Sequence, residues 1–459
     1  MKRCAIVGAG ISGLSAAYFL QRYGDPWEIH LYEAGSRIGG IVRTDYIEEA
    51  IVEAGPDSFL TQKKRAIDLC KEVGLGDYLI GSSDSIRKTY IFHEGKLHVL
   101  PDGLFLMVPT KPLSFIATDL ISWPGKFAAI PDLFLPPEEI DLPVAEFVEK
   151  RFGREILQQI AEPMLAGIFG ADVSQLGLEA ALPQIWEIQK QGSLIRNLMR
   201  KRSSSPQESL FTTLSGGMET FASRLREKCN GIDFRLNSPV SAIIKENGFW
   251  KVNGHDYDII VVATSSVPEI VSAQGSLIVS LIRSIRRNSA IVVAMMFAGV
   301  RRDGFGWLVP RSERRSVLAC TYLSNKFPGR ARADRFLVRL FIGSEQAGFW
   351  LEYSDAEIAE EAGRELQRIA GIDAIPLFCN VYRWKNAMPE YGVGHKRLIE
   401  TLEELVKREP GLYLTGNYFS GVGISDCVQQ AETIVQEINI KYQKSNKQTK
   451  IKYQISNIK

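Results

Sequence analysis

The spacing of apolar residues near the start of the chain changes from that of a strand to that of a helix and back again. Apolar residues run without a break through Cys4–Val7, which predicts a short buried strand. From Leu14 to Leu20 they recur every three or four positions, which predicts a helix, and Ile29–Tyr32 predicts a second strand. This order is typical of a parallel strand–helix–strand unit.

Later apolar segments predict further strands of the same sheet. Tyr257–Ser265 is almost continuously apolar, as a strand buried on both faces requires. Leu412–Asn417 predicts a last strand, and a helix is expected from about Val422 to Ile438. Four strands of a second sheet are expected at Ser289–Phe297, Gly306–Pro310, Val317–Tyr322 and Phe336–Gly343. The pattern therefore predicts an α/β domain assembled from separated pieces, an α+β domain and a helical insertion.

The first predicted turn carries a glycine pattern with a known physical use. Gly8, Gly10 and Gly13 follow the strand, and Glu33 ends the second strand 20 residues after Gly13. Glycines here allow a tight turn, a close backbone approach to a pyrophosphate and close packing of the helix, while the acid can bind a ribose. A glycine-rich turn in an ordinary α/β unit would not require the acid, so a dinucleotide site is predicted.

Two further loops indicate which dinucleotide binds. Arg37 and Gly39–Gly40 follow Glu33 directly and resemble the second glycine motif of flavoproteins with two dinucleotide-binding domains. This resemblance implies FAD rather than NAD. Residues 53–58 resemble the second cofactor loop of those proteins, where the backbone passes the flavin ring; a plain Gly-Pro turn is the alternative.

Composition and charge exclude several classes of protein. The 459 residues are 45% hydrophobic and 24% charged, which fits two or three globular domains. The net charge is +2, and the last 19 residues hold six lysines and no acid. The rest of the chain therefore carries a net charge of about −4, so a general nucleic-acid surface is not expected. Scattered cysteines and histidines predict neither a metal site nor disulfides. A strand that starts near residue 3 leaves no room for a signal peptide, so a cytoplasmic protein is expected.

One segment combines apolar residues with frequent breaks. Gly103–Pro137 contains six prolines and four charges among large apolar side chains. It is too interrupted to span a bilayer. Broken amphipathic helices with an exposed apolar face would contact a membrane surface or line a tunnel to a hydrophobic substrate; a buried cap over the core is the alternative.

With these segments in place, the chain resembles the oxygen-dependent protoporphyrinogen oxidases of the amine oxidase-like flavoprotein superfamily, over almost its whole length. Four stretches carry the resemblance: the Gly8–Gly13 turn with Glu33, then 213–218 (TLSGGM), 304–310 (GFGWLVP), and the C-terminal pair 388–395 and 412–427. It implies a Rossmann-type FAD-binding domain at 1–86, 207–265 and 395–440. It also implies a helical insertion at 87–206 and a substrate domain at 266–394, with a basic disordered tail at 441–459.

The resemblance also implies the residues that bind FAD. For the GVGI turn at 421–424 there is also a physical reason to expect a contact, because amides at a helix N-terminus favour negative charge on a reduced flavin. The implied contacts are Gly8, Ala9, Gly10, Ile11, Ser12, Gly13, Glu33, Ala34, Arg37, Gly40, Ile41, Gly55, Pro56, Asp57, Ser58, Val240, Asn417, Val422, Gly423 and Ile424.

A substrate slot is expected beside the flavin. The resemblance implies that Phe305, Gly306 and Leu308 line it as the catalytic group, with the glycine letting the macrocycle approach the backbone. Leu340 is expected opposite, and Ile168 and Phe169 at the entrance; ordinary core packing is the alternative for these three. The porphyrinogen substrate that the resemblance implies carries propionates, so a cation is expected near the slot. Arg87 or Lys88 is expected to be this cation.

The implied activity is the six-electron oxidation of protoporphyrinogen IX to protoporphyrin IX in haem biosynthesis, with oxygen as acceptor and hydrogen peroxide as product. Coproporphyrinogen III oxidation, an amine oxidase or desaturase reaction, and a non-catalytic lipid carrier on the same fold remain alternatives. The expected partners are a porphyrinogen and molecular oxygen. The inner face of the cell membrane, a chelatase and a second copy of the chain are further candidates.

Overall fold

A computed structural model describes residues 2–23, 27–200 and 209–456, with the side chains of 344, 345 and 443–456 left out of the description. The predicted break at 202–207 lies outside the described residues. A parallel five-stranded sheet forms the first domain. Its strands, in spatial order, are Asp233–Arg235, Trp27–Tyr32, Lys2–Val7, Ile259–Val262 and Leu412–Leu414.

Both faces of this sheet are covered, which explains its nearly continuous apolar strands. On one face, Ile6, Leu31 and Val261 pack against the helices Ile11–Tyr23, Lys64–Glu72, Glu219–Lys228 and Ile424–Ser456. On the other face lie the helices Gly275–Ser284 and His395–Lys407 and a small sheet. The strands of the small sheet are His255–Tyr257, Phe249–Val252, Ala242–Glu246 and Glu269–Val271. The α/β expectation is confirmed.

A mixed seven-stranded sheet forms the second domain. Its strands, in spatial order, are Phe378–Pro389, Arg287–Ala298, Arg335–Gly343, Ala319–Tyr322, Gly306–Leu308, Thr89–His93 and Lys96–Val99. The helices Ser344–Trp350 and Asp355–Ala370 belong to this domain, and the second of them packs on one face of the sheet. Two small sheets complete the strands of these two domains. One pairs Thr44–Ile47 with Ala50–Glu53, and the other contains, in spatial order, Phe59–Leu60, Phe211–Leu214 and Leu79–Gly81.

The hairpin Thr89–Val99 belongs to this second sheet rather than to the helical insertion in which the predicted boundary at residue 87 placed it. Thr89 pairs in parallel with Gly306, and Ile91 with Leu308. Besides pairing with each other, the two strands of the hairpin are joined to the sheet through Gly306–Leu308, which follows Thr89 by more than 200 residues. Such pairing leaves no local signal in the sequence.

The helical insertion has its own hydrophobic core. Its helices are Pro112–Ala117, Trp123–Phe127, Val144–Phe152, Arg154–Ile156, Glu162–Phe169, Leu178–Ala181, Pro183–Gln189 and Leu194–Arg200. A π turn, Leu157–Ala161, leads into Glu162–Phe169. Pro163 has no amide proton to continue the regular α-helical ladder, which accounts for the wider turn just before it.

The last helix, Ile424–Ser456, continues into the segment 441–459 that was expected to be disordered. Its contact with the first domain extends as far as Tyr442, whose ring lies 5.0 Å from that of Trp27 and 4.0 Å from Nζ of Lys2. These ring contacts provide the packing that composition alone could not show.

Candidate functional site

The glycine turn after the first strand is tightly closed. The amide of Gly8 donates to the carbonyl of Tyr32 at 2.8 Å. A β-carbon on Gly13 would lie 1.9 Å from the carbonyl oxygen of Gly8, so only glycine lets the helix Ile11–Tyr23 start this close to the strand. Its first amides therefore meet the carboxyl edge of the parallel sheet, where Ala9, Ile11 and Ser12 also lie, and can bind a diphosphate.

Glu33 is fixed beside this turn by main-chain donors. Its two carboxylate oxygens accept hydrogen bonds from the amides of Ala9, at 2.9 Å, and Gly35, at 2.8 Å. Its own carbonyl accepts from the amide of Ser238. The exposed Ala34 and the half-buried Val240 lie on the same two connections. The carboxylate is thus held at the sheet edge, as a ribose ligand would have to be.

The second and third cofactor loops pack directly against the first. The amide of Gly39 donates to the carbonyl of Ala9 at 2.8 Å, and Gly10 forms a parallel bridge with Gly39. A β-carbon on Gly55 would lie 1.9 Å from the carbonyl oxygen of Ile41. The loops predicted to follow the diphosphate, the ribityl chain and the flavin ring therefore form one continuous edge.

Arg37 organises the second loop from within. Its guanidinium donates to the carbonyls of Ile38, Gly40 and Val42. Burial lowers the pKa of Arg37, an effect opposed by Glu219. Because the guanidinium is occupied by three main-chain carbonyls, its main action is to hold the shape of the loop around Gly40 and Ile41.

The third loop is anchored to the second sheet by buried charges that the sequence did not reveal. Asp57 lies 3.0 Å from Nζ of Lys326 and 3.2 Å from Nη1 of Arg339, and Thr213 Oγ1 donates to its carbonyl at 2.7 Å. Arg339 also donates to the carbonyl of Gly55. Burial would raise the pKa of the Asp57 carboxyl, but the two cations hold it well below its ordinary value. We name this group the Asp57 cluster.

Further bonds hold the same loop. Trp384 Nε1 donates to the carbonyl of Ala54 at 2.7 Å, and Ser58 Oγ donates to Asp57 at 2.6 Å. Just before the loop, Glu53 is buried 3.2 Å from Arg330, and burial raises its pKa to about 7 against the opposing effect of that cation. Gly55, Pro56, Asp57 and Ser58 are consequently fixed from several sides.

The GVGI turn joins this edge from the C-terminal end of the chain. Val422 packs against the helical insertion and Ile424 against the first core, so Gly423 lies where the two meet. The helix Ile424–Ser456 runs along Ile11–Tyr23, with Cys427 and Ser12 in hydrogen-bond contact. Two helix N-termini therefore lie together at the carboxyl edge of the sheet.

Asn417 has a structural partner in this region. Its Nδ2 donates to the carbonyl of Ala387 at 3.3 Å, and its own carbonyl accepts from the hydroxyl of Tyr391. The side chain thus ties the end of the last parallel strand to the second sheet. A contact with FAD through its backbone remains a prediction.

The catalytic group predicted for the slot lies on the strand Gly306–Leu308 and the residue before it. A β-carbon on Gly306, whose φ is +134°, would lie 1.9 Å from the carbonyl oxygen of Cys320. The glycine is therefore required for the pairing of these two strands, and its expected role of opening the slot to the macrocycle stays a prediction. Phe305 is buried, and Leu308 faces the insertion, 3.6 Å from a β-carbon built on Gly167.

Leu340 lies on the face of the second sheet opposite Leu308. It is fully buried against the helix Asp355–Ala370, together with Trp307, because alternate residues of a strand face opposite sides of the sheet. The neighbouring residue, Phe341, shares the face of Arg339, whose guanidinium lies 5.0 Å from its ring centre. Phe341 therefore shares the sheet face of Leu308, a placement that sequence reasoning missed because residues 340 and 341 are both apolar.

The two entrance candidates differ in exposure. Ile168 is 45% exposed on the helix Glu162–Phe169, whereas Phe169 is 6% exposed in the core of the insertion. Ile168 is therefore the one whose side chain a ligand can reach.

Neither predicted propionate ligand is placed in the slot. Lys88 is exposed and its Nζ lies 2.6 Å from Asp303, while the exposed Arg87 lies 4.0 Å from Asp84. Both basic side chains therefore already have acidic partners, and Asp303 is also contacted by the hydroxyl of Tyr90.

Comparison with known proteins agrees with this geometry. Residues 11–439 match the family model described as flavin containing amine oxidoreductase. The chain belongs to this family. It is 30% identical to coproporphyrinogen III oxidase of Bacillus subtilis (strain 168), over 95% of this chain and 97% of the relative. It is 28% identical to the protein of the same name from Staphylococcus aureus, over 95% and 99%.

Among solved structures, one from Exiguobacterium sp. 255-15, assigned as a protoporphyrinogen oxidase, superimposes with a TM-score of 0.85. It is 29% identical and the match covers 96% of this chain and 99% of the other. The protein is therefore a flavoprotein oxidoreductase of this family. Gly13 and Gly55, where a β-carbon would clash with the main chain, lie on the continuous edge that the predicted FAD loops form. When bound, FAD supplies a two-electron acceptor. Within the described ranges, no group of His, Cys, Asp and Glu is placed to hold a metal ion.

Proposed function

We propose that this flavoprotein oxidises a porphyrinogen to the porphyrin in haem biosynthesis, and that coproporphyrinogen III is its preferred substrate. The reaction removes six hydrogens from the macrocycle; with oxygen as the final acceptor, three O2 become three H2O2. The proposal is supported by two relatives named for coproporphyrinogen III that match the chain over nearly the full length of both partners. The proposed substrate carries four propionates, whereas protoporphyrinogen IX, the substrate first expected from the sequence, carries two.

The observation that carries the proposal is a pair of apolar side chains, Leu308 and Phe341, on the sheet face that also holds the flavin loop. Phe341 lies beside Arg339, which itself donates to the loop at Gly55. Leu308 faces the helix Glu162–Phe169, where a β-carbon built on Gly167 would lie 3.6 Å from the Leu308 side chain. Apolar side chains on both sides exclude water and can hold a flat macrocycle against the flavin.

In this proposal the chain provides orientation rather than acid–base chemistry. Leu308 and Phe341 hold the macrocycle, and the Asp57 cluster keeps the flavin loop from moving when substrate enters. Cys427 is buried and its thiol pKa is raised by burial, to about 11, so a covalent flavin link through its thiolate is not part of the proposal.

Anaerobic mixing tests this proposal directly. The purified yellow protein should lose its oxidised-flavin absorbance when mixed with coproporphyrinogen III, more slowly with protoporphyrinogen IX, and not with amines or polyenes. Leu308→Asn should slow this bleaching, whereas Leu277→Asn, on the exposed side of the helix Gly275–Ser284, should not. Bleaching only by an amine or a polyene would overturn the proposal, and a colourless protein would favour the lipid carrier.

Protoporphyrinogen IX remains the second candidate. It is favoured by the Exiguobacterium structure, which superimposes with a TM-score of 0.85. The two substrates share the ring and differ in their carboxylates, so the relative rates of bleaching decide between them.

We also propose that the insertion rests on the inner membrane surface. Its exposed large apolar residues between positions 113 and 140 are Leu113, Ile116, Trp123, Phe127, Ile130, Phe134 and Ile140, with exposures from 47% to 83%. Lys126 joins the first two helices, since its Nζ donates to the carbonyl of Ile116 and lies 4.6 Å from the Trp123 ring. Such a patch fits the headgroup region. Within 2–23, 27–200 and 209–456, no helix is long and apolar enough to cross a bilayer.

Vesicle sedimentation tests the membrane proposal. The protein should pellet with vesicles of phosphatidylglycerol and phosphatidylethanolamine, and Phe134→Ser with Leu113→Ser should leave it in the supernatant. Phe349→Ser, at an exposed aromatic residue of the second domain, is the matched control. Equal sedimentation of all three proteins would contradict the proposal.

A further inference from the structure

A cavity of about 340 Å³ lies between the helical insertion and the second sheet. Its lining includes Ala166 of the insertion, Leu318 and Gly343 of the second sheet, and a turn that contributes Arg311, Arg314 and Arg315. Three arginines within five residues and one acid, Asp172, line this cavity, so its lining has an excess of positive charge. None of these residues is among those predicted to bind FAD.

The cavity lies on the face of the sheet that carries the slot. Residues two apart on a strand share a face, so Arg339, Phe341 and Gly343 follow one another along the strand Arg335–Gly343. At about 3.3 Å per residue, the cavity floor at Gly343 lies roughly 13 Å beyond Arg339. The flavin loop, the apolar slot and the basic cavity therefore follow one another along a single strand.

The insertion covers both the slot and the cavity. A β-carbon on Gly343 would lie 3.9 Å from the α-carbon of Gly170, and one on Gly167 would lie 3.6 Å from Leu308. Ala166, which lines the cavity, is the neighbour of Gly167 on the same helix. A ligand held between Leu308 and the insertion can therefore extend into the cavity without leaving the same roof.

Acidic neighbours engage two of the three arginines. Arg311 forms an ion pair with Asp172 and lies 4.0 Å from Glu162. Arg315 lies 3.9 Å from Glu365, a residue that also pairs with Arg368. These carboxylates offset much of the charge of the two arginines.

Arg314 differs from its neighbours. It is exposed, and no ion pair joins it to any side chain in the described part of the chain. It has a φ of +50°, which is uncommon for a residue other than glycine or asparagine, at the end of the turn Arg311–Glu313. The turn thus presents one uncompensated guanidinium at the cavity.

We propose that this cavity binds a carboxylate side chain of the porphyrinogen, with Arg314 as the cation that meets it. The inference rests on the proposed function and deepens it: it assigns to the turn 311–315 the task that Arg87 and Lys88 do not perform. A guanidinium suits a propionate because it presents paired donors to two oxygens. A cation at this end of the slot favours substrates whose carboxylates are spread over the ring.

The test combines a protein variant with a substrate that lacks the charge. Arg314→Asn keeps a residue that tolerates the left-handed backbone. Holoenzyme with this change should show a KM for coproporphyrinogen III raised roughly tenfold, the size of one charge-assisted hydrogen bond. The KM for the tetramethyl ester of the same porphyrinogen should not differ from that of the unchanged protein. Arg408→Asn, at an exposed arginine after the helix His395–Lys407, is the control.

Each result decides the proposal. A raised KM for the acid alone supports it. An unchanged KM for the acid, an equal rise for acid and ester, or the same rise in the Arg408 variant would overturn it while leaving the proposed function intact. Failure of the unchanged holoenzyme to oxidise either porphyrinogen would overturn both. Flavin content and the thermal midpoint of each variant show that it is folded.

Discussion

The Asp57 cluster gives a quantitative test of how the flavin loop is held. Replacing Asp57 by Asn keeps the shape of the side chain but removes the one negative charge between two cations. The side chain of Lys326 is 10% exposed and lies 3.0 Å from Asp57, and that of Arg339 is 1% exposed and lies 3.2 Å from it. Both cations would then face a neutral amide. The change therefore leaves uncompensated positive charge in a buried site.

The expected cost follows from that burial. Removing one partner of a buried ion pair destabilises a protein by about 3–5 kcal/mol, because the remaining charge stays desolvated. The matched control is Asp303→Asn, which breaks the ion pair with Lys88, where both side chains are 54% exposed. Water can solvate Lys88 after this change, so no measurable loss of stability is expected.

Urea unfolding of the two variants and the unchanged protein provides the assay, followed by tryptophan fluorescence and by release of flavin. Asp57→Asn should lower the free energy of unfolding by the stated amount and release flavin at a lower urea concentration. The Asp303 variant should follow the unchanged protein. Equal curves for the two variants, or a loss below about 1 kcal/mol for Asp57→Asn, would refute the reasoning.

Three further predictions concern pH, the cofactor turn and the slot. Because burial raises the pKa of Glu53 from 4.5 to about 7, the folded state keeps a proton that the unfolded state loses, so stability should fall by roughly 3 kcal/mol between these pH values. Glu53→Gln should flatten this part of the stability profile measured by urea unfolding; an unchanged slope would contradict it. Gly13→Ala should yield protein without flavin, judged by absorbance, whereas Gly348→Ala, with nothing within 4 Å of its β-carbon, should keep its flavin. Leu340→Ala should lower the free energy of unfolding by about 2–5 kcal/mol and leave KM unchanged, because Leu340 is fully buried. Phe341→Ala should raise KM. A raised KM for Leu340→Ala with an unchanged KM for Phe341→Ala would put Leu340 in the slot instead.

The local parts of the site could be predicted because their signals lie close together in the sequence. The turn from Gly8 to Gly13 and the acid at Glu33 are set by the spacing of one strand–helix–strand unit. The adjoining Gly39 and Gly40 follow in the same stretch, and the structure brings all of them to one edge. A glycine that must approach a backbone carbonyl leaves a mark that a single sequence can show.

The contacts between distant segments could not be predicted in this way. Asp57 meets Lys326 and Arg339, which follow it by more than 260 residues. In the sequence, Lys326 and Arg339 look like ordinary charged residues of the second domain. Leu340 and Phe341 are both apolar, so the pattern did not decide which one faces the slot, and a shift of one residue reverses the answer. Only the pairing of the strands fixes these faces.

Oxygen uptake by the purified holoenzyme, with porphyrin fluorescence read in parallel, tests the central claim most directly. Supplied separately with coproporphyrinogen III and protoporphyrinogen IX, the protein should consume three O2 for each porphyrin formed and turn over the tetracarboxylate faster. Faster turnover of protoporphyrinogen IX would contradict the assigned substrate. With flavin bound, no oxygen uptake and no fluorescence with either substrate would contradict the porphyrinogen oxidase account itself.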